Sequence, residues 1–276
     1  MSIFYTDKGY KSMKNIPLKT TEKTENSRKS GTKGTEIHNK DVGNIIKKKS
    51  CLIISGGRFV DPGYLKPLLD GTGHKDDSII DYVFACDKGI DHSEKYGIVP
   101  DVALGDFDSV SETGLAFIED KGIAYDRYPS HKDDTDTVIA VKRALEMGYV
   151  SIYIICAMGG RPDHAFANIQ AAQYAAGAGA KVCVIDNGSQ FIIFSDSAIE
   201  AEAEDNCALS VFSLTDRSTG VFIKGAEYEL EDAVLTSDHP IGVSNEFIKN
   251  KATVSVENGC LMVVVTSKLL NDHDVD

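Results

Sequence analysis

The 276-residue chain contains no tryptophan and only seven prolines. It also has no apolar run near the roughly 20 residues that a membrane-spanning helix needs. Its six cysteines (51, 86, 156, 183, 207 and 260) stand singly, with no Cys-x-x-Cys and no Cys/His cluster, which argues against zinc. Most lie in apolar, strand-like runs, as the reduced thiols of a cytosolic protein would. Nothing resembles a secretory signal peptide, and a cytoplasmic location is expected. No Gly-x-x-x-x-Gly-Lys-[Ser/Thr] occurs, nor a protein-kinase signature set, so neither of those phosphoryl-transfer classes applies. No Ser–His–Asp or Cys–His arrangement stands out.

Positive charge is scarce and unevenly placed. Lys and Arg number 29 against 42 Asp and Glu, for a formal net charge of −13. Twelve of the cations but only five of the acids fall in the first 50 residues, leaving the remainder near −20. An acidic body argues against nucleic acid as a partner, and the missing apolar run argues against a membrane. A polyanionic substrate would have to be held by a few placed cations or by a metal.

The chain divides by texture into three parts. Residues 1–48 are rich in Lys, Thr, Ser, Asn and Gly without periodicity, and are expected to be a disordered tail. From Cys51 onward, buried-strand runs alternate with helical patterns through about residue 187. The runs are Cys51–Ile54, Asp81–Cys86, Val102–Leu104, Ile123–Tyr128, Ser151–Ala157 and Lys181–Ile185, with helices expected after the first, near 89–96, over Thr135–Met147 and over Asp163–Ala176. After 188 the helical period stops, and short β-rich runs between turn residues predict a small antiparallel sandwich. The expected class is α/β: a mostly parallel N-terminal sheet with flanking helices over 49–187, followed by a C-terminal antiparallel β-sandwich domain over 188–276.

In parallel sheets ligands bind at the carboxyl ends of the strands, and the polar clusters fall there: Ser55–Arg58, Asp87–Gly89, Gly105–Ser109, Ser130–Asp136 and Gly159–His164. Gly105-Asp106-Phe107-Asp108-Ser109 follows a buried strand. If extended, it would place Asp106 and Asp108 on one side and Phe107 in the core. Two neighbouring carboxylates repel unless a cation lies between them, and a hard divalent ion such as Mg²⁺ would resolve the conflict. An acidic solvated turn is the plain alternative. Lys132-Asp133-Asp134-Thr135-Asp136 precedes a helix whose N-terminus suits phosphate, with Thr135 or Asp134 as cap. Asp136 reads as a third metal-coordinating acid and Lys132 as a phosphate contact. In Gly159-Gly160-Arg161-Pro162-Asp163-His164, Arg161 offers a planar fork for phosphate oxygens, and Asp163 could be an N-cap. His164 and Asn168 share a helical face. From the residues alone, the reading is a metal-dependent enzyme acting on a phosphorylated or nucleotide substrate.

These motifs, in order, with Ala85-Cys86-Asp87-Lys88-Gly89, Pro100-Asp101 and the late pair Ser244-Asn245, resemble the thiamine pyrophosphokinase (thiamine diphosphokinase) family from about Cys51 to Ser267. Where the family often has Ala-Asp-Gly-Gly, this chain has Cys86-Asp87-Lys88-Gly89, with Asp87 in register. The resemblance implies transfer of the pyrophosphoryl group of ATP to the hydroxyl of thiamine, giving thiamine diphosphate and AMP, with Mg²⁺ as cofactor and ATP as co-substrate. It implies catalysis by Asp106, Asp108, Asp136 and Arg161, with metal on those three aspartates. ATP contacts would come from Asp87, Ser109, Lys132, Asp133, Thr135, Arg161, Asp163, His164 and Asn168. Thiamine would lie on Ser244 and Asn245, at the interface of a homodimer. Some relatives stack a tryptophan on thiamine, and this chain has none to offer. Two other classes stay open: a diphosphokinase for a pterin alcohol, and a non-catalytic thiamine- or nucleotide-binding protein.

Overall fold

A computed structural model describes residues 50–69, 80–129, 133–203 and 207–267. The tail expected over 1–48 and the phosphate contact expected at Lys132 lie outside the described residues.

The first half builds six parallel strands: β1 (Ser50–Ile54), β2 (Tyr82–Cys86), β3 (Val102–Gly105), β4 (Ala124–Arg127), β5 (Ser151–Ile155) and β6 (Lys181–Asp186). Five helices connect or flank them: α1 (Pro62–Leu69), α2 (Gly89–Tyr96), α3 (Glu112–Lys121), α4 (Asp136–Glu146) and α5 (Pro162–Gly177). The strands lie in the order β4-β3-β2-β1-β5-β6. The chain therefore runs outward from β1 in one direction and returns to lay β5 on its other side. The gap between the carboxyl ends of β1 and β5 is the topological switch point, where open parallel sheets take their ligands.

Burial on both faces explains why β1, β5 and β6 read as unbroken apolar runs. Cys51, Ile53, Ile152 and Ile154 face the alanine-rich surfaces of α4 and α5. Leu52, Ile54, Tyr153 and Ile155 face the other way, toward α1 and the later strands. α3 has only Gly114 and Ile118 buried, too sparse an apolar stripe to announce itself by periodicity.

The chain reverses at Asn187-Gly188, and the next strand pairs antiparallel with β6. The second half comprises β7 (Ser189–Ser195), β8 (Ala198–Glu202), β9 (Cys207–Ser213), β10 (Arg217–Lys224), β11 (Leu230–Thr236), β12 (Gly242–Glu246), β13 (Lys251–Ser255) and β14 (Cys260–Ser267). Four of these extend the parallel sheet into one of ten strands, ordered β12-β9-β14-β7-β6-β5-β1-β2-β3-β4. The remainder form a four-stranded sheet, β11-β10-β13-β8, whose Ile199, Val221, Ile223 and Val254 share a core with Leu52 and Ile54. The antiparallel sandwich is thus present, but one of its layers is the continuation of the parallel sheet.

Candidate active site

A cavity of about 440 Å³ opens at the switch point. One wall is the loop after β1, Ser55 to Arg58; a second is Cys86-Asp87-Lys88 after β2. The start of α4 contributes Thr135, Asp136 and Thr137, and the turn into α5 contributes Gly159, Gly160 and Arg161. Ser109, His164 and Asn168 complete it. Most of the polar clusters expected at this sheet edge therefore meet in one hollow. Of the expected nucleotide contacts, Asp133 and Asp163 lie outside the lining.

Beside the cavity, carboxylate oxygens of Asp87, Asp106 and Asp108 lie within 4.8 Å of one another. Extended alternation does not bring Asp106 and Asp108 together. Phe107 takes a left-handed conformation at φ 64°, burying its ring while the chain turns back. The Asp108 N–H donates to Asp106 Oδ1 at 3.1 Å, closing the turn, and the Phe107 N–H donates to Asp87 Oδ1 at 3.1 Å. Asp87 itself sits at φ 45°. Non-glycine residues held there are strained, and such strain collects at functional sites. Gly105 completes the arrangement: a Cβ on it would lie 1.8 Å from Asp87 Oδ1, so the carboxylate occupies the space of the missing side chain.

Burial raises the Asp87 carboxyl to about 7. Its hydrogen bond with Asp136 and the charge of that residue push the same way, opposed by the Phe107 N–H, with Asp106 adding to the rise. The third acid of the three-carboxylate group is thus Asp87, and Asp136 stands behind it as its hydrogen-bond partner. Hard oxygen donors crowded until one resists ionising are the donor set that a Mg²⁺-like ion fits.

The other expected residues divide between cavity and scaffold. Thr135 caps α4, accepting from the Val138 N–H at 3.3 Å. The N-cap of α5 is Arg161 rather than Asp163, and the two form an exposed ion pair at 2.6 Å. Asn168 is buried and donates to the Ala157 carbonyl at 2.7 Å, so it ties α5 to the loop after β5. Arg58, in the cluster after β1 but not among the expected contacts, lines the cavity with its guanidinium held by Asp186 at 2.8 Å. The Gly-Gly-Arg run directly after the first buried strand is the signal that marks it.

Ser244 and Asn245 lie elsewhere, on β12 at the far edge of the large sheet. Six strand spacings separate β12 from β1, about 29 Å at roughly 4.8 Å each. Ser244 is exposed at φ 59°, whereas Asn245 is buried with its side-chain amide bonded to the backbone of Tyr228. Tyr228 is 68% exposed.

Two family models match the chain. Residues 78–184 match "Thiamin pyrophosphokinase, catalytic domain" and residues 197–261 match "Thiamin pyrophosphokinase, vitamin B1 binding domain". The thiamine pyrophosphokinase of Bacillus subtilis is 30% identical over 217 residues, spanning 78% of this chain and 98% of that protein. The crystal structure of the Bacillus subtilis thiamine pyrophosphokinase superposes with a TM-score of 0.68 at 26% identity, covering 80% of this chain and all of that one. The Candida albicans thiamin pyrophosphokinase shares the fold at a TM-score of 0.64 and 14% identity, covering 80% and 90%.

Proposed function

The chain belongs to the thiamine pyrophosphokinase family, and we propose that the switch-point cavity is where its ATP is bound and from which the pyrophosphoryl group passes to thiamine. The activity is that of a thiamine diphosphokinase, a transferase with thiamine and ATP as substrates. The observation that carries the siting is that Asp87, the Gly-Gly-Arg loop and the Arg161 turn line a single hollow, with Asp106 and Asp108 grouped on Asp87 beside it.

Asp87, Asp106 and Asp108 would hold a divalent cation, proposed to be Mg²⁺, with Asp136 orienting Asp87. Such an ion, when bound, neutralises charge on the transferring phosphates. Arg58, Lys88 and Arg161 face the same space and supply fixed positive charge to the polyphosphate. Ser109, Thr135 and His164 border it as polar contacts. The thiamine hydroxyl oxygen forms a bond to the β-phosphorus as the bond from that phosphorus to the oxygen of AMP breaks, and the hydroxyl proton is released to solvent. The protein's task is to hold the two oxygens in line.

Thiamine is proposed to sit against Ser244 and the Tyr228 ring, with Asn245 holding Tyr228 in place. An exposed aromatic face suits a cationic heterocycle. The distance from β12 to the cavity supports a composite site: the thiamine end of one chain completes the nucleotide end of a second in a homodimer. On this reading 49–187 and 188–276 are functional halves rather than separately cored bodies. Six free, buried cysteines support a reducing, cytoplasmic setting.

Purified protein incubated with Mg-ATP and thiamine is expected to release AMP and form thiamine diphosphate. AMP release with a pterin alcohol but not with thiamine would replace the acceptor. Absence of AMP with either would leave a binding protein.

A further inference from the structure

Helix α2 links the two halves of the cavity wall. It starts immediately after Asp87-Lys88, and its first residue packs directly on β1: a Cβ on Gly89 would lie 2.0 Å from the Ile54 carbonyl oxygen. One turn later His92, 3% exposed, reaches the Gly57 carbonyl through Nε2 at 2.9 Å. A carbonyl only accepts, so Nε2 carries a proton and donates it to Gly57. Its Nδ1 is buried with no hydrogen-bond partner among the described residues, and burial lowers the affinity of the ring for a second proton.

On its other side, the Gly57 N–H donates to the Cys156 carbonyl at 2.6 Å, and the Arg58 N–H to the Met158 carbonyl at 3.1 Å. The loop is therefore strapped to the turn after β5 by its N–H groups and to α2 by one imidazole. The following residues are fixed as well. Phe59 stacks on Tyr96 at 4.6 Å, and the Tyr96 hydroxyl donates to the Val60 carbonyl at 2.7 Å. His92 packs against the same Phe59 ring, with centroids 5.5 Å apart.

We propose that His92 is a positioning residue for nucleotide binding: it sets the Gly56–Arg58 loop at a fixed distance from the acid group, so that loop and acids grip one polyphosphate together. This rests on the siting of ATP in the cavity. His92 touches neither substrate nor metal; it acts through the Gly57 carbonyl. Losing one hydrogen bond to a preorganised loop is expected to cost about tenfold in affinity.

The test uses the full chain and α,β-methylene-ATP with Mg²⁺, an analogue that the reaction cannot cleave. His92→Phe keeps a packed ring without the donor, and His92→Gln keeps a donor able to reach the same carbonyl. The expected result is binding about tenfold weaker in His92→Phe, restored to within about threefold of the parent in His92→Gln, with the KM for thiamine unchanged in both. Parental affinity in His92→Phe, or an equal loss in both variants, overturns the inference. Should His92→Phe not fold, the ring ¹⁵N signals of the parent decide. A protected Nε2–H whose shift moves on adding the analogue supports the proposal, and an unmoved or unprotected one overturns it. Failure of the parent to bind the analogue overturns the ATP siting itself, and this inference with it.

Discussion

Asn245 holds Tyr228 by the backbone at two points: its Nδ2 donates to the Tyr228 carbonyl at 2.8 Å, and its Oδ1 accepts the Tyr228 N–H at 3.0 Å. The same Oδ1 accepts the Glu246 N–H at 2.9 Å. On the proposed siting of thiamine, a side chain so engaged would act on the ligand through the tyrosine it places. Tyr228→Ala is therefore expected to raise the KM for thiamine about tenfold with little change in that for ATP, and Tyr228→Phe to keep parental values. Because Tyr228 is largely exposed, neither should shift the melting temperature. Asn245→Ala should raise the thiamine KM too, but also destabilise the fold by about 1 kcal/mol, because it removes three hydrogen bonds to part-buried backbone groups of Tyr228 and Glu246. A Tyr228→Ala enzyme with parental thiamine kinetics would remove Tyr228 from the site.

Asp108 tests the acid group. Its exposed carboxylate lies on a loop whose turn is closed by the Asp108 backbone N–H, so Asp108→Asn leaves that bond intact. Turnover is expected to fall by at least about a hundredfold, with an unchanged melting temperature and a higher Mg²⁺ requirement. Parental activity at saturating Mg²⁺ would remove Asp108 from the metal site.

The raised Asp87 carboxyl makes a prediction for the metal-free protein. An aspartate ordinarily titrates near 3.8, and here the folded value is about 7. Between those values the folded state keeps a proton that the unfolded chain has released. Stability from this group is therefore full below about 4 and is lost as pH rises through about 7. In EDTA, the melting temperature of the parent should fall between pH 5 and pH 8 relative to Asp87→Asn, which removes the titration. Added Mg²⁺ should restore the parent at pH 8 by occupying the deprotonated site. Parallel pH profiles for the two proteins would show that Asp87 is not the group responsible.

How much of this was legible in sequence follows from range. The buried parallel strands and the acid-rich, glycine-rich clusters at their ends are local signals, and the switch-point cavity follows from their alternation with helices. The left-handed turn at Phe107 was not legible, because phenylalanine seldom adopts it and only the packing of its ring over-determines it. Nor was the grouping of Asp87 with Asp106 and Asp108, since that depends on how β2 and β3 register, with Cys86 opposite Leu104. The extension of the parallel sheet into the sandwich is a pairing between β6 and β7, strands which local patterns describe separately. β12 was hidden because Gly242 to Glu246 has Ser-Asn at its centre and little apolar alternation.

The separation of β12 from the cavity gives the sharpest test of assembly. On the proposed siting of thiamine, one chain would have to bring β12 to the cavity across six strands of a continuous sheet. A second copy supplying that end would avoid the distortion. In a symmetric dimer, each site would take its acids from one chain and its Ser244–Tyr228 surface from the other. Asp108→Asn and Asn245→Ala are each expected to be impaired alone. After subunit exchange, half of the dimers would be mixed. In each of those, one site carries both defects and the other carries neither, so activity should return to at most roughly a quarter of parental. Exchange can be followed independently by mass-tagging one variant. No recovery despite demonstrated exchange would mean that each chain completes its own site, and the 29 Å implied by the strand order would then have to be closed by a movement within one chain.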